Sequence, residues 1–286
     1  MNLFQAIFLG LIQGVAEFLP ISSSGHLALF QNILGLADVE HDHMFFDVLL
    51  HLGTLAAVFV AYWGEIKALV LELFTMVHLR KLPEGEKPDY LSRRLIAFLV
   101  VATLPLVAVL PVKDHVEGLF SNLTFIGCAL LVTGVLLFLT DRFNRGRKTL
   151  KNASLLDALL VGCGQAIAVV PGLSRSGTTI TVGCLVGYER SFAVRFSFLM
   201  SIPVIGGSLL LGVKDTLENP ESFNVWVILA GMISAAVSGY IAVRFMLNFF
   251  RKKGMKVFAI YLAILGVLVL VDQLFFHQFF DVFLLG

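Results

Sequence analysis

Gln13 and Glu17 stand four residues apart, so on a helix their side-chain oxygens share one face. Hard oxygen donors of this kind suit Mg²⁺ or Ca²⁺ rather than zinc. A few residues on, Ser22, Ser23, Ser24, Gly25 and His26 bring three hydroxyls, a flexible turn and an imidazole together. A second cluster, Ser174, Arg175, Ser176, Gly177, Thr178 and Thr179, offers hydroxyls beside a guanidinium. Hydroxyls and free backbone N–H groups around a glycine turn form an anion cradle, and the planar fork of arginine grips phosphate through two parallel donors. A carboxylate, an imidazole, clustered hydroxyls and an arginine fit phosphoryl chemistry better than proton relay alone. Plainer readings stand beside this one. Serine most often caps the helix that follows it, and Glu17 with Arg175 could be a structural ion pair.

The elements that must position these residues are read from hydropathy. The chain has 286 residues, of which 58% are hydrophobic and only 14% charged, and its mean hydropathy is +0.89. A water-soluble globule of that composition would expose far too much apolar surface. The net charge of +1 gives no basic surface for nucleic acid. What remains is an all-α integral membrane protein embedded in the lipid bilayer. Cys128, Cys163 and Cys184 are odd in number, lie in apolar stretches and lack metal-ligand spacing, so they read as small hydrophobes in packed helices. No Lys or Arg precedes the first apolar run, which is therefore expected to be mature structure rather than a cleavable leader.

Six uncharged runs, at about 48–64, 95–111, 123–140, 196–213, 225–243 and 257–271, are long enough to be transmembrane helices. Two other apolar regions are broken. Leu3–Ala16 runs into Glu17, Pro20 and the serine cluster, and Ala158–Val170 runs into Pro171, Gly172 and the arginine cluster. A short helix, a polar turn and another short apolar stretch make a re-entrant helical hairpin, tolerable at membrane depth only inside protein or against a wet cavity. The hairpins are expected at about 3–37 and 155–187.

Charge orients the spans. The loops at 64–94, 142–151 and 244–256 hold sixteen of the twenty-one Lys and Arg residues, whereas 112–122 and 214–224 hold one each. The positive-inside rule makes the first set cytoplasmic and the second external. The two hairpins then enter from opposite faces. A shift of 152 positions lays Gly10 on Gly162, Gln13 on Gln165, Ser22 on Ser174, Ser24 on Ser176 and Gly25 on Gly177. The chain therefore reads as an inverted-topology repeat in a single membrane domain, repeat one at 1–140 and repeat two at 150–271, each a hairpin followed by three spans. The halves differ where chemistry is expected: Glu17 and His26 face Val169 and Thr178, and Arg175 faces Ser23. An ionisable group at membrane depth costs at least about 2.5 kcal/mol, so three near one meeting point call for a function.

At these residues the sequence resembles the undecaprenyl-diphosphate phosphatase family, also known for bacitracin resistance. QGVAEFLPISSSGH at 13–26 and PGLSRSGTT at 171–179 look like its two signature segments, and FFDVLLHLGT at 45–54 and FSFLMSIP at 196–203 are similar to its secondary motifs. The resemblance implies a membrane hydrolase that converts undecaprenyl diphosphate, a polyprenyl diphosphate lipid, to undecaprenyl phosphate and inorganic phosphate with a divalent cation, Mg²⁺ or Ca²⁺. The product is the lipid carrier reused in peptidoglycan synthesis. It also implies a multi-pass protein of the bacterial cell membrane. The site is expected to open to the outer side, and a homodimer is carried as an expectation. The family's (Glu/Gln)-x-x-x-Glu motif falls on Gln13 and Glu17, its serine–histidine segment on Ser22, Ser23 and His26, and its arginine on Arg175 with Ser174 and Thr179. Gln13 stands where some members have glutamate, so any carboxylate function falls to Glu17. Ser23, His26 and a metal-bound water all remain open as the nucleophile.

Other residues carry less. His51, one turn from Asp47, reads as structural or as support for the site. Asp38, Glu40, His41, Asp42 and His43 resemble a metal cluster but are expected to be a solvated external loop. Gly10 with Gly14, and Gly183 with Gly187, read as helix-packing pairs. The competing function is a lipid-phosphate flippase or ion-coupled transporter, which the inverted repeat would also serve. Turnover in detergent, where no transport is possible, separates the two.

Overall fold

The computed structural model describes residues 1–36, 40–79, 87–143, 146–218, 224–252, 254–276 and 280. The chain is an all-α membrane protein. Among the described residues the only strand-like pairing is an isolated bridge between Lys148 and Tyr188. Five helical stretches are long and apolar enough to cross a membrane, and a bent pair makes a sixth candidate.

The first broken region is a helix–turn–helix. Helix α1 (Leu3–Phe18) starts at a capping box, with Asn2 Oδ1 accepting from Gln5 N–H and Gln5 Oε1 accepting from Asn2 N–H. Helix α2 (Ser23–Ile33) starts at Ser22, whose Oγ accepts from Gly25 N–H. Ser22 holds φ at +72°, a left-handed conformation that costs a non-glycine residue about 1 kcal/mol or more and is concentrated at functional turns.

Helix α3 (Glu40–Ala61) is followed at once by α4 (Trp63–Met76), turned by 91°. This corrects the expected loop at 64–94, whose first part is helical. Glu65, Lys67 and Glu72 interrupt the uncharged run, yet the helix buries Ile66 and Leu69 on one side and leaves Val70, Leu73 and Phe74 exposed on the other. The backbone at 40–43 is already helical, not loop; Asp38 lies outside the described residues, as do the side chains of Glu40, His41, Asp42 and His43. Helix α5 (Tyr90–Val107) begins at Asp89, whose carboxylate accepts from the Ser92 hydroxyl and from the N–H groups of Leu91 and Ser92. Those bonds, the hydroxyl first, hold the Asp89 carboxyl below the usual range. The short α6 (Lys113–Glu117) and the long α7 (Leu123–Phe143) complete the first half.

A second pair of short helices follows. Helix α8 (Leu155–Ile167) has a capping box of Ser154 and Asp157, with Lys148 Nζ 2.8 Å from Asp157. Helix α9 (Arg175–Leu185) begins at Ser174, whose Oγ accepts from Gly177 N–H. Then come α10 (Arg190–Glu218), α11 (Val225–Lys252) and α12 (Lys256–Val271).

Small residues set the packing. Helix α1 lies along α11, close enough that a Cβ on Gly10 would sit 2.2 Å from the Gly231 carbonyl oxygen and one on Gly14 2.0 Å from Ser238 Oγ. Helix α8 lies along α5, where a Cβ on Gly162 would sit 2.4 Å from the Ala102 carbonyl oxygen. The Gly183–Gly187 pair does not act as one unit. Gly183 faces Tyr188 and Ala193, whereas Gly187 lies past the end of α9 with φ at +99°, a turn position that disfavours a side chain. Of the cysteines, Cys184 is buried as expected of a core hydrophobe, but Cys128 and Cys163 are exposed on apolar helix surfaces.

Candidate functional site

The turns that open α2 and α9 meet. A Cβ on Gly25 would lie 3.3 Å from the Gly172 Cα, Gly172 N–H reaches Ser24 Oγ at 3.4 Å, and the Ser176 hydroxyl donates to the Leu19 carbonyl at 3.3 Å. The two polar clusters, about 150 residues apart in sequence, therefore make one site.

Glu17, in the last turn of α1, is its centre. Its carboxylate is almost fully buried and takes charge from one side and hydrogen bonds from the other. Arg175, the first residue of α9, places Nη2 on Glu17 Oε1 in a short ion pair. Ser23 donates its hydroxyl to Glu17 Oε2 at 2.7 Å, and Gln13 Nε2 donates to the same oxygen at 3.0 Å. His51 Nε2 lies 3.5 Å from Glu17 Oε2. The imidazole is aimed there because its Nδ1 donates to the Asp47 carbonyl at 2.7 Å, and Asp47 in turn accepts from Gln31 at 2.9 Å.

Accessibility divides these groups. Ser23 and Ser24 are half-buried, the Arg175 side chain is 19% exposed and His51 31% exposed, against 4% for Glu17. The parts open to an arriving ligand belong to Ser23, Ser24, Arg175 and His51, while the Glu17 carboxylate is buried. Arg175 Nη1 is buried and has no hydrogen-bond partner, so one arm of the guanidinium holds Glu17 while the other is a free donor.

The remaining hydroxyls are more deeply placed. Ser22 and Ser174 act as helix caps, and Ser22 Oγ and Ser24 Oγ lie 3.3 Å apart, as do Ser174 Oγ and Ser176 Oγ. Thr179 is 2.7 Å from Ser197 on α10 and donates to the Arg175 carbonyl at 2.8 Å. The Thr178 hydroxyl is buried without a partner. Gly25 and Gly177 are buried at the starts of their helices. His26 makes its hydrogen bonds to groups other than Glu17. Its Nδ1 donates to the Ser22 carbonyl at 2.8 Å and its Nε2 lies 2.6 Å from Tyr261 Oη on α12.

A divalent cation fits this donor set on limited terms. Among the described residues no three His, Cys, Asp or Glu side chains gather as a ligand group. Glu17 offers the anionic oxygen, and the buried Gln13 Oε1, which has no partner, offers a neutral one. A cation here would take its other oxygens from water and from a bound phosphate, the usual habit of Mg²⁺. Gln165 also has an unpartnered Oε1, but its Nε2 donates to the Ala102 carbonyl at 3.3 Å, and the residue four positions on in sequence is Val169 rather than a carboxylate.

Three contacting residues, Thr133, Ser197 and Tyr261, were not singled out from sequence. His51 was only a secondary candidate, although its spacing to Asp47 placed it on one helix face. Thr133, which accepts from Ser174 N–H at 3.2 Å, and Ser197 are ordinary hydroxyls in apolar runs. Tyr261 is a lone tyrosine in a span, and no local signal marks it.

The family model for Bacitracin resistance protein BacA matches residues 6–268. The chain is 39% identical to the undecaprenyl-diphosphatase of Methanobrevibacter smithii over 281 residues, covering 96% of this chain and 99% of that one. It is also 39% identical to the undecaprenyl-diphosphatase of Halothermothrix orenii over 274 residues, covering 95% and 98%. Carboxydothermus hydrogenoformans has a similar relative of the same name, 39% identical over 277 residues with 96% and 98% covered.

Proposed function

The chain belongs to the Bacitracin resistance protein BacA family, and we propose that its Glu17–Ser23–Arg175 cluster is where it does its work. It is a membrane phosphatase that hydrolyses undecaprenyl diphosphate to undecaprenyl phosphate and inorganic phosphate. That reaction returns the lipid carrier to peptidoglycan synthesis and underlies bacitracin resistance. The transporter reading is not favoured, since the relatives are diphosphatases along their whole length.

The observation that carries the site assignment is the accessible Ser23 hydroxyl donating to a buried carboxylate, which a guanidinium with one free arm holds in turn. A nucleophile, its base and an orienting group in hydrogen-bond contact are what nucleophilic catalysis needs. Ser23 Oγ attacks the terminal phosphorus, and its proton passes to Glu17. The bond from that phosphorus to the bridging oxygen breaks, and undecaprenyl phosphate leaves with the bond's electrons. Glu17 releases the Ser23 proton to solvent. Water then attacks the phosphoserine, its proton passing through Glu17 to Ser23 Oγ as the P–O bond to serine breaks, which frees inorganic phosphate and the Ser23 hydroxyl. Arg175 binds the terminal phosphate through its free Nη1 and stabilises charge developing on the transferred group. A divalent cation, Mg²⁺ or Ca²⁺, would be held by Glu17 and Gln13 Oε1 and would supply charge neutralisation on the diphosphate.

The test is phosphate release from undecaprenyl diphosphate by protein purified in detergent. Wild type should turn over, and Ser23→Ala should lose about a thousandfold while still binding lipid. Ser23→Ala with turnover near that of wild type would remove Ser23 as nucleophile.

The finer architecture belongs to the same reading: six spans, with α1–α2 and α8–α9 as re-entrant hairpins of an inverted repeat. Support comes from matched packing. Helix α1 lies on α11 as its counterpart α8 lies on α5, while α3 lies on α10 and α7 on α12, each a helix against its own counterpart. The segregation of Lys and Arg supports the orientation of the spans, with 112–122 and 214–224 outside, and a site open to the outer side of the bacterial cell membrane is proposed with it. In a cysteine-free background, a cysteine at Ser121 should react with an impermeant reagent in intact cells, and one at Lys151 should not. Both side chains are exposed, and Lys151, unlike Lys148, leaves the Asp157 ion pair intact. The reverse labelling would overturn the orientation. A homodimer is retained as a proposal, to be read from the mass of the detergent-solubilised protein.

A further inference from the structure

His26 has both ring nitrogens occupied, and the second of them is held from the far end of the chain. Nδ1 lies 2.8 Å from the Ser22 carbonyl oxygen, which can only accept, so Nδ1 carries a proton. In the neutral ring the lone pair is therefore on Nε2. That nitrogen lies 2.6 Å from Tyr261 Oη, which donates to it. The two rings are also nearly parallel, 5.7 Å between centroids and 16° apart in plane, so they meet edge to edge through this bond. His26 is buried, while Tyr261 on α12 is 42% exposed.

We propose that Tyr261 is the positioning residue for His26: a tyrosine from the second half that holds the plane of the imidazole and is the hydrogen-bond partner of Nε2 in either protonation state. A phenol is suited to this because it can donate to a neutral imidazole and, after turning its O–H, accept from an imidazolium. Ser22 O and Tyr261 Oη thus fix the ring without forcing one charge state on it. The consequence reaches the reacting groups through the backbone. His26 grips the carbonyl of Ser22, the residue with left-handed φ that sets the Ser23 hydroxyl toward Glu17. Freed from Tyr261, the imidazole can rotate off that carbonyl and loosen the turn.

This inference rests on the hydrolase reading above, but the test separates them. Tyr261→Phe keeps the ring and removes only the hydroxyl. It should lower kcat by about tenfold or more, with KM within about twofold, because substrate contacts are untouched. In a His26→Gln background the same change should alter kcat by less than about twofold, since a residue acting only through His26 has nothing left to position. In protein labelled with ¹⁵N-histidine, the Nε2 resonance of His26, assigned by its loss in His26→Gln, should shift in Tyr261→Phe toward that of an unbonded acceptor. Incorporating 3-fluorotyrosine at 261, which keeps shape and sharpens the donor, should move the resonance the opposite way and covers the case of a misfolded Phe variant. An unmoved Nε2 resonance, an equal loss in both backgrounds, or a rise in KM with kcat unchanged would each overturn the proposal. A wild-type protein that releases no phosphate would overturn the hydrolase reading alone, and the resonance would still decide the Tyr261–His26 link.

Discussion

Glu17→Gln should reduce phosphate release by about a thousandfold or more, the scale seen when a base central to a catalytic cluster is lost. The amide keeps the shape of the carboxyl but cannot take the Ser23 proton, and it removes the carboxylate that Gln13 and Arg175 both bond. Raising Mg²⁺ or Ca²⁺ should rescue little, because the anionic ligand itself is gone. Gln13→Ala should cost much less, since it removes one hydrogen bond to Glu17 and a neutral oxygen. The single substitution also strips Arg175 of its partner. An unpaired, largely buried guanidinium can cost about 3 kcal/mol of stability, so the melting temperature should fall along with turnover. Steady-state phosphate release over a cation titration, with thermal unfolding on the same samples, checks both arms. Near-normal turnover in Glu17→Gln would remove it from the chemistry.

Arg175→Lys should be almost as damaging as removing the charge, with a loss of about a hundredfold in kcat. Lysine can still neutralise Glu17, so folding should be close to that of wild type. What it lacks is the second arm of the planar fork. In the native site Nη2 is committed to Glu17 and Nη1 is free for the phosphate, and one ammonium cannot hold both in fixed geometry. The loss should fall mainly on kcat, with a smaller rise in KM, because the contact strengthens as charge develops on the transferred phosphoryl group. Full activity in Arg175→Lys would mean that only its charge matters.

Much of this site was legible because its signals are local. A carboxylate one turn from an amide, and hydroxyls before a glycine that opens a helix, are visible in ten residues of sequence. The repeated Ser-x-Ser-Gly turn gave the correspondence between the halves, and it is the same turn that brings Gly25 against Gly172. Five of the six expected spans were legible for the same reason, since a long uncharged apolar run has few alternatives, whereas the run at 48–64 falls in a helix pair bent by 91°. What was missed depends on long-range packing. Helix α4 escaped because Glu65, Lys67 and Glu72 break the apolar run. Yet Glu65 is bound by Arg195 and Glu72 by Arg93, partners that only the fold supplies. Tyr261 escaped because its role is set by a residue 235 positions away. His51 was seen but not placed, because only the packing of α3 against α1 brings it to Glu17.

In the proposed function the two halves build one hydrolytic site, and Glu17 and Arg175 are there for chemistry rather than to neutralise each other. The most direct measurement is phosphate release in detergent by the double variant Glu17→Gln/Arg175→Gln. Removing both charges leaves no unpaired buried ion, so this variant should fold better than Glu17→Gln alone. If the pair were only structural, turnover would return with stability. The expected result is a well-folded protein that binds undecaprenyl diphosphate and releases no phosphate above background. Recovery of a substantial part of wild-type turnover would contradict the claim and reduce both residues to a lock between the hairpins.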